Sequence, residues 1–284
     1  MEKDWTVITG DCLQILPTLA AGSVAMVFTD PPYGHNNNNN GDLIANWEKA
    51  LGRPATEEES APRPIANDGA EANDLYRAML PLVRRLMDSG CCCCCGGGGG
   101  PDPQFARWSL WMDEVFDFKQ MVVWDKGPMG MGWHYRRSYE TVLVGEVPGK
   151  CRWYDESGRI ENIIRPGNPE TAKIIPSASQ HPTEKPVGLA KHFIRLHTKP
   201  GDLVLDPFCG TGSTGVAARA LDRRFIGCEL DPGYATIARR RIADAGFPLL
   251  EQVQVDAPVA KVVGPVGDQR SGTAISANSL PERP

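Results

Sequence analysis

A glycine-rich turn late in the chain is the clearest candidate for binding chemistry. Gly210, Gly212 and Gly215 follow the apolar run DLVLD and open the helix-like stretch STGVAARAL. Glycines permit a tight turn, so backbone amides at the start of the helix can approach a ligand closely. The next apolar run ends at Glu229, about 20 residues on, where a carboxylate can accept hydrogen bonds from ribose hydroxyls. This spacing predicts a nucleotide-like ligand.

The position of this turn in the chain limits the kind of fold. A dehydrogenase domain that binds a dinucleotide normally begins with such a turn and continues with several βα units. Here only the strand RFIGCEL and the helix YATIARRRIADAG follow it before a Val/Pro/Gly/Ser-rich tail. The N-terminal half must therefore complete the sheet. We expect the strand leading into GDC (10–12) to be its third strand, and the strand leading into FTDPPYG (28–34) to be its fourth.

The chain resembles the beta-class amino-methyltransferases of DNA, in which a catalytic motif precedes the cofactor motif. Here these two motifs are FTDPPYG and DPFCGTGST. Further similar motifs are TGDCLQILPTL, RRSYETVLVG and HPTEKPVGLAKHFIRLH, and the resemblance covers about residues 5–246. It implies an α/β, Rossmann-like methyltransferase fold with a mostly parallel, doubly wound sheet in permuted order. It also implies S-adenosyl-L-methionine as cofactor and DNA as partner.

The Asp-Pro-Pro-Tyr turn has the residue types that methyl transfer to a base amine requires. Such an amine is a poor nucleophile because its lone pair is delocalised into the ring, and acceptors at its two hydrogens favour the geometry of attack. Asp30 supplies one acceptor and the Pro31 carbonyl a second, while Pro32 stiffens the turn. Tyr33 offers a flat face on which a base flipped out of the duplex can stack.

We predict that the enzyme methylates the 6-amino group of adenine in double-stranded DNA, as restriction-modification methyltransferases do. The 4-amino group of cytosine is the nearest alternative, but that subgroup more often carries Ser where this chain has Asp30. A cytosine ring-carbon methyltransferase would need a nucleophilic cysteine, typically after a proline, and the sequence has no Pro-Cys pair. A non-catalytic DNA-binding protein on the same fold remains an alternative, and the chain order argues against an NAD-binding oxidoreductase.

The resemblance also assigns cofactor-binding roles by position. Glu229 would bind the ribose hydroxyls, and Asp11 would accept from the adenine amino group of the cofactor. Thr183 and Lys185 would meet its amino-acid end, where a cation can neutralise a carboxylate. Further cofactor contacts are expected from Asp206, Phe208, Gly210 and Gly212. We expect no metal, since the five histidines do not form a ligand spacing.

The basic residues are concentrated in one part of an otherwise acidic chain. The formal net charge is −5, but residues 119–199 carry 13 Lys and Arg against 8 Asp and Glu. Lysine and arginine can neutralise phosphates, so we expect DNA to bind this region, with a solvated surface as the alternative. The candidate DNA-binding residues are Arg136, Arg137, Lys150, Arg152 and Arg165. A homodimer is left open.

We expect one catalytic domain over residues 1–250, followed by a disordered tail at 251–284. Within the domain, the composition predicts an inserted loop at 35–67. The resemblance implies a target-recognition segment at 145–180. No apolar stretch approaches about 18 residues and no signal-peptide pattern is present, which favours a cytoplasmic protein without a membrane span. The strands are expected at 5–12, 24–30, 121–126, 139–146, 202–206 and 224–230.

Five consecutive cysteines, Cys91–Cys95, are a further unusual feature. They follow the predicted helix DLYRAMLPLVRRLMDSG, and we expect them to form a central strand of small buried residues. Adjacent cysteines on a strand point to opposite faces, which suits neither a disulfide nor a tetrahedral metal cage.

Overall fold

The computed structural model describes residues 4–34, 66–97, 104–127, 138–165 and 184–245. Its strands are β1 Trp5–Thr9, β2 Val24–Thr29, β3 Met87–Gly96, β4 Asp117–Asp125, β5 Tyr139–Glu146, β6 Ile163–Ile164, β7 Leu203–Asp206 and β8 Arg224–Glu229. Its helices are α1 Cys12–Ile15, α2 Ala72–Leu86, α3 Phe105–Asp113, α4 Val187–His197, α5 Ser213–Arg219 and α6 Pro232–Asp244. A single 3-10 turn, Leu16–Thr18, follows α1 in this part of the chain.

The strands form one mixed sheet in the order β1-β8-β7-β2-β3-β5-β4-β6. The five strands from β1 to β3 are parallel, β5 is antiparallel to both β3 and β4, and β6 is parallel to β4. In the chain, α5 connects β7 to β8, and α6 follows β8. In the sheet, β8 lies between β7 and β1. This is the predicted permuted order, with β1 as the third strand and β2 as the fourth, and it confirms the Rossmann-like class.

The strand order reverses between β7 and β2, which are neighbours in the sheet. Met26 pairs with Val204 and Val27 with Leu205 in parallel register. Ligands of open α/β sheets bind outside the carboxyl ends of the strands at such a switch point. The Asp-Pro-Pro-Tyr turn follows β2 and the glycine turn follows β7. The two turns therefore lie side by side at the carboxyl ends of these neighbouring strands.

The core is formed by two apolar layers, one on each face of the sheet. One layer contains residues of α4, α5 and α6, and the other contains residues of α1, α2 and α3. The strand β3 lies between β2 and β5, and all residues of Cys91–Cys95 are at most 2% exposed, which confirms the predicted central strand. Cys92 and Cys94 face the first layer, whereas Cys93 and Cys95 face the second.

Several element boundaries differ from the prediction. The first strand ends at Thr9 because Asp11 caps α1, where its Oδ1 accepts from the Leu13 amide at 2.9 Å. The helix expected to continue to Gly90 ends at Leu86, because Met87 already pairs with β2. The strand β4 begins four residues before the predicted start, because it pairs with β5 from that point. The helix α3 was not predicted, and β6 lies in a segment predicted to be irregular.

Parts of the predicted domain organisation lie outside the described residues. This applies to the inserted loop up to residue 65, to the recognition segment after residue 165, and to the tail at 251–284. Among the described helices, none has the length and apolar character needed to cross a membrane.

Candidate active site

Asp30, the first residue after β2, belongs to a network of charged side chains. Its Oδ1 accepts a hydrogen bond from the Tyr33 hydroxyl, and its Oδ2 lies 2.7 Å from Nζ of Lys185. Lys185 Nζ is also 3.2 Å from Oε2 of Glu140, whose Oε1 is 2.8 Å from Nζ of Lys126. The network thus joins the β2 turn to the residues that precede α4, to β5 and to the end of β4.

The network sets the charges around Asp30. Burial raises the pKa of Asp30, and the adjacent Lys185 ammonium opposes this rise. Burial also acts on Glu140, but Lys185 and Lys126 outweigh it and lower the pKa of Glu140 to about 2. Two carboxylates outweigh burial at Lys185 and raise its pKa well above the usual value. Lys185 is therefore the cation that favours the ionised form of Asp30. The Asp30 side chain is 27% exposed, so an incoming amine can still reach it.

The backbone of the Asp-Pro-Pro-Tyr turn is fixed by residues that the sequence analysis missed. Asp68 Oδ1 accepts from the backbone amides of Tyr33 at 3.0 Å and Gly34 at 2.9 Å. Gln104 donates from Nε2 to the Tyr33 carbonyl at 3.1 Å. The Tyr33 ring lies 5.9 Å from the ring of Trp108, centroid to centroid. Asp68 lies near the inserted loop and Gln104 just before α3, and no recognisable motif marks either residue.

Gly96, at the end of β3, leaves space for the Asp30 and Tyr33 side chains. A Cβ on this residue would contact Asp30 Oδ1 and would lie 2.7 Å from the Tyr33 hydroxyl. Only glycine fits without displacing one of them. In the sequence Gly96 is the first residue of a glycine run, and nothing there distinguishes it from the glycines that follow.

The glycine turn is held by two carboxylates at the ends of neighbouring strands. Glu229, the last residue of β8, accepts at Oε2 from the Gly210 amide and at Oε1 from the Asp231 amide, both at 2.9 Å. Gly212 has a φ of 88° and a hypothetical Cβ there would be 3.0 Å from Ala238, so glycine is required for both conformation and space. Burial raises the pKa of the Glu229 carboxyl, and the two amides oppose that rise.

Asp206, the last residue of β7, has both oxygens bonded within the chain. Oδ1 accepts from the Thr29 hydroxyl at 2.6 Å and from the Phe208 amide at 3.1 Å, and Oδ2 accepts from the Thr214 hydroxyl at 2.6 Å. Burial raises the pKa of Asp206 to about 6 against these hydrogen bonds. The side chain therefore ties β2, the glycine turn and α5 together directly beneath the site.

Glu184 connects the segment before α4 to the glycine turn and was also missed. Its carboxylate accepts from the Thr211 hydroxyl at 3.2 Å and lies 2.6 Å from the Arg241 guanidinium. Lys185, the next residue, points to Asp30 and Glu140. Two consecutive residues thus contact the two turns separately.

One cavity of about 300 Å³ joins the two turns. An S-adenosyl-L-methionine molecule needs a hydroxyl acceptor for its ribose, apolar surface for its adenine and polar groups for its amino-acid end. Glu229 has acceptor capacity left. Each carboxylate oxygen can accept two hydrogen bonds, and Oε2 accepts one from the Gly210 amide and Oε1 one from the Asp231 amide. The residues present fit this cofactor. The predicted site residues on the cavity wall are Asp11, Asp30, Pro31, Pro32, Tyr33, Lys185, Asp206, Phe208, Gly210 and Glu229.

The remaining predicted site residues are not among the residues that line the cavity in the described part of the chain. Lys150 and Arg165 are exposed, and Arg165 pairs with Glu161. Arg152 is half-buried, and its backbone amide donates to the Gly90 carbonyl at 3.0 Å. Gly212 lies behind the turn against α6. Three predicted residues lie outside the described part of the chain: Arg136, Arg137 and Thr183.

The fold and the joined turns define a methyltransferase of the class that acts on amino groups, and comparison with known proteins identifies the family. The DNA methylase family (N6_N4_Mtase) matches residues 24–240, so the chain belongs to that family. It is a DNA methyltransferase, and S-adenosyl-L-methionine is its methyl donor.

Individual relatives agree with this assignment. The DNA adenine methyltransferase YhdJ of Escherichia coli K12 is 27% identical over 276 residues, which covers 87% of this chain and 86% of YhdJ. TTHA0409 of Thermus thermophilus, assigned as a DNA modification methylase, has 25% identity and a TM-score of 0.59, with 84% of this chain and 94% of that chain covered. The cytosine-N4-specific PvuII DNA methyltransferase shares the fold at 19% identity and a TM-score of 0.62, with 86% and 92% covered.

Proposed function

We propose that the enzyme methylates the 6-amino group of adenine in double-stranded DNA, after the base has been flipped into the cavity between the two turns. The observation that carries the proposal is the position of Asp30, a carboxylate held at the cavity wall beside the turn that binds the cofactor. The adenine assignment is supported by the name of YhdJ and by an aspartate, rather than a serine, at the first position of the tetrapeptide.

The residues of the turn have separate roles in this proposal. Asp30 and the Pro31 carbonyl accept hydrogen bonds from the two amino hydrogens, which directs the nitrogen lone pair towards the methyl group that the bound cofactor supplies. Positive charge develops on the attacking nitrogen, and the Asp30 carboxylate stabilises it. The Tyr33 ring stacks on the extruded base, which is worth about 1–3 kcal/mol per base.

The charged network prepares Asp30 for this role. A protonated carboxyl would lose acceptor capacity at the oxygen that carries the proton. Lys185 opposes protonation, and Glu140 with Lys126 holds the Lys185 ammonium against Asp30. We propose this positioning role for Lys185, whose ammonium is already paired with two carboxylates, in place of a contact with the amino-acid end of the cofactor.

The cofactor residues act through backbone geometry and hydrogen bonds. We propose that Glu229 accepts from the ribose hydroxyls and that Asp11 accepts from the adenine amino group of the cofactor. Phe208 supplies apolar surface, and the turn at Gly210 allows close approach of the backbone. DNA phosphates are proposed to contact the exposed basic residues of the region 119–199, including Lys150 and Arg165.

The test is incubation of the purified chain with labelled cofactor and duplex DNA, followed by nucleoside mass spectrometry and mapping of the methylated positions. We expect N6-methyladenine at a defined sequence, and none with Asp30→Ala. Formation of N4-methylcytosine instead would establish the cytosine alternative. Cofactor binding without methyl transfer to any duplex from a genomic library would favour the non-catalytic alternative.

A further inference from the structure

A second cluster of reactive side chains lies in the core, away from the cavity. Cys92 and Cys94 are two residues apart on β3 and face the same layer, with their sulfurs 3.2 Å apart. His197, the last residue of α4, reaches the same point. The three residues are buried, and their potential ligand atoms all lie within 4.8 Å of one another.

The His197 ring is held from behind by the backbone. Its Nδ1 is 3.2 Å from the Arg152 carbonyl, which can only accept, so Nδ1 is the protonated nitrogen. In a neutral ring the other nitrogen, Nε2, then carries a lone pair. Histidines that bind metals are characteristically held in this way, because the second hydrogen bond fixes the tautomer and the orientation of the ring.

Glu146 lies next to Cys92 on the neighbouring strand, outside the group of three. It pairs directly with Cys92 across the β3–β5 ladder, so the two side chains project from neighbouring positions on the same face. Its Oε2 is 3.7 Å from Nζ of Lys119. The Cys151 thiol interacts with the Glu146 carboxylate, while Oε1 of Glu146 is buried and has no hydrogen bond of good geometry within the described part of the chain. A buried carboxylate oxygen without a partner is costly, which points to a ligand at this position.

We propose that Cys92, Cys94 and His197 form a structural site for one thiophilic divalent cation of the zinc class, with Glu146 as the fourth ligand after a rotation of its side chain. Two thiolates, one imidazole and one carboxylate are a suitable donor set for tetrahedral zinc. With Zn–S bonds of about 2.3 Å, the two sulfurs of a tetrahedron are about 3.8 Å apart. The sulfurs of Cys92 and Cys94 need to separate only slightly to reach that distance, and side-chain rotation on the rigid strand can provide it.

The site has a structural consequence for the enzyme. The cation would fasten the C-terminal end of α4 to β3, while the segment that enters α4 carries Lys185. Adjacent cysteines of the run point to opposite faces of the strand and cannot form a metal cage together. Alternate cysteines share a face, and Cys92 and Cys94 meet a histidine from a distant helix.

The opposite face of β3 provides a matched control. Cys93 and Cys95 have the same spacing, and their sulfurs are 3.5 Å apart. Within the described residues they do not belong to any group of three potential ligands. A strand that bound metal merely because it is rich in cysteine would not distinguish the two pairs, whereas the proposed site requires the pair that faces His197.

The test measures zinc bound to the full-length chain, purified under reducing conditions and titrated with zinc against a chromophoric chelator. We expect one tightly bound equivalent in the wild type and in C93A/C95A. We expect its loss in C92A/C94A, and at least a tenfold weaker affinity in His197→Asn and Glu146→Gln. Cobalt in place of zinc should give a thiolate charge-transfer band in the wild type that C92A/C94A lacks.

Circular dichroism and calorimetric binding of S-adenosyl-L-methionine identify variants that have not folded. If C92A/C94A does not fold, His197→Asn decides, because that change leaves both thiols in place: weaker cobalt binding with a changed spectrum supports the site, and wild-type affinity with an unchanged spectrum overturns it. The proposal is overturned if the wild type binds no more zinc than C92A/C94A. It is equally overturned if the chain, isolated without added reductant, carries a Cys92–Cys94 disulfide and no metal. Neither result bears on the proposed methylation of adenine, which has its own assay.

Discussion

The Asp-Pro-Pro-Tyr turn is held by side chains from distant parts of the chain, whereas the glycine turn is held mainly by the ends of β7 and β8. Lys185, Asp68 and Gln104 fix the first turn. Glu229 and Asp206 fix the second through backbone amides and threonine hydroxyls. The chemistry of the first turn therefore depends on charges set elsewhere, while binding at the second depends on local geometry. Substitutions should separate the two effects.

The largest effect is expected for Asp30→Ala. The substitution removes the acceptor on which the attacking amine depends, so kcat should fall about a thousandfold or more. The cofactor dissociation constant should stay within about twofold, because the glycine turn is held independently. Single-turnover methylation of duplex DNA and calorimetry would measure the two quantities. A variant that methylates DNA at a near-normal rate would show that Asp30 does not have the proposed role.

The next effect is expected for Lys185→Met. Without the ammonium, Asp30 and Glu140 face each other without the cation that separates them, and the pKa of Asp30 rises. Because the ionised form is the active one, activity appears as the pH rises through that pKa, so the acidic limb of the kcat/KM profile should move to higher pH. At neutral pH we expect a loss of about a hundredfold.

Two variants test this interpretation of Lys185. Lys191→Met, on α4 shortly after Lys185 but away from the cavity wall, should keep the wild-type pH profile. The double variant K185M/E140Q should recover part of the activity, because it removes the second negative charge. If Lys185→Met instead raises the cofactor dissociation constant and leaves the pH profile unchanged, the lysine binds the amino-acid end of the cofactor, as the sequence resemblance implied.

A smaller effect, confined to binding, is expected for Glu229→Ala. Loss of hydrogen bonds to a charged acceptor typically costs about 1.5–3 kcal/mol, so the cofactor dissociation constant should rise about tenfold to more than a hundredfold. Glu229→Gln keeps one carbonyl acceptor and should lie between the wild type and the alanine variant. An unchanged dissociation constant in calorimetry would contradict the assignment of Glu229 to the ribose.

The two turns also differ in how much of each could be predicted from the sequence. The glycine turn is local, so the spacing from Gly210 to Glu229 was sufficient to identify it. The permuted order of strands followed from counting the elements after that turn. The tetrapeptide from Asp30 to Tyr33 was recognisable as a motif because its four residues are consecutive.

The partners of the catalytic turn could not be found in that way. Glu140 contacts Lys185, and Lys126 contacts Glu140, only because β4 and β5 pair antiparallel beside β3. Asp68 and Gln104 reach the turn across the fold. These are contacts between residues far apart in sequence, and no periodicity encodes them. The shared face of Cys92 and Cys94 follows from their spacing on a strand. His197, which lies beside them, is the last residue of a helix about 100 residues later, and no spacing in the sequence connects it to the cysteines.

The smallest effect is expected for Asp206→Asn, in the local scaffold of the glycine turn. Burial raises the pKa of Asp206 from 3.8 to about 6, so the folded chain holds this proton more strongly than the unfolded chain does. The stability that this group contributes is present at low pH and is lost as the pH rises from about 4 through about 6. Asparagine is neutral throughout and can keep most of the hydrogen bonds to the threonines and the Phe208 amide. The free energy of unfolding in urea should therefore fall with rising pH more steeply in the wild type than in the variant, while cofactor affinity stays within a few-fold. Equal slopes in the two proteins would show that Asp206 is already ionised in the folded chain. A charged carboxylate would then hold the glycine turn, as charged groups hold the Asp-Pro-Pro-Tyr turn.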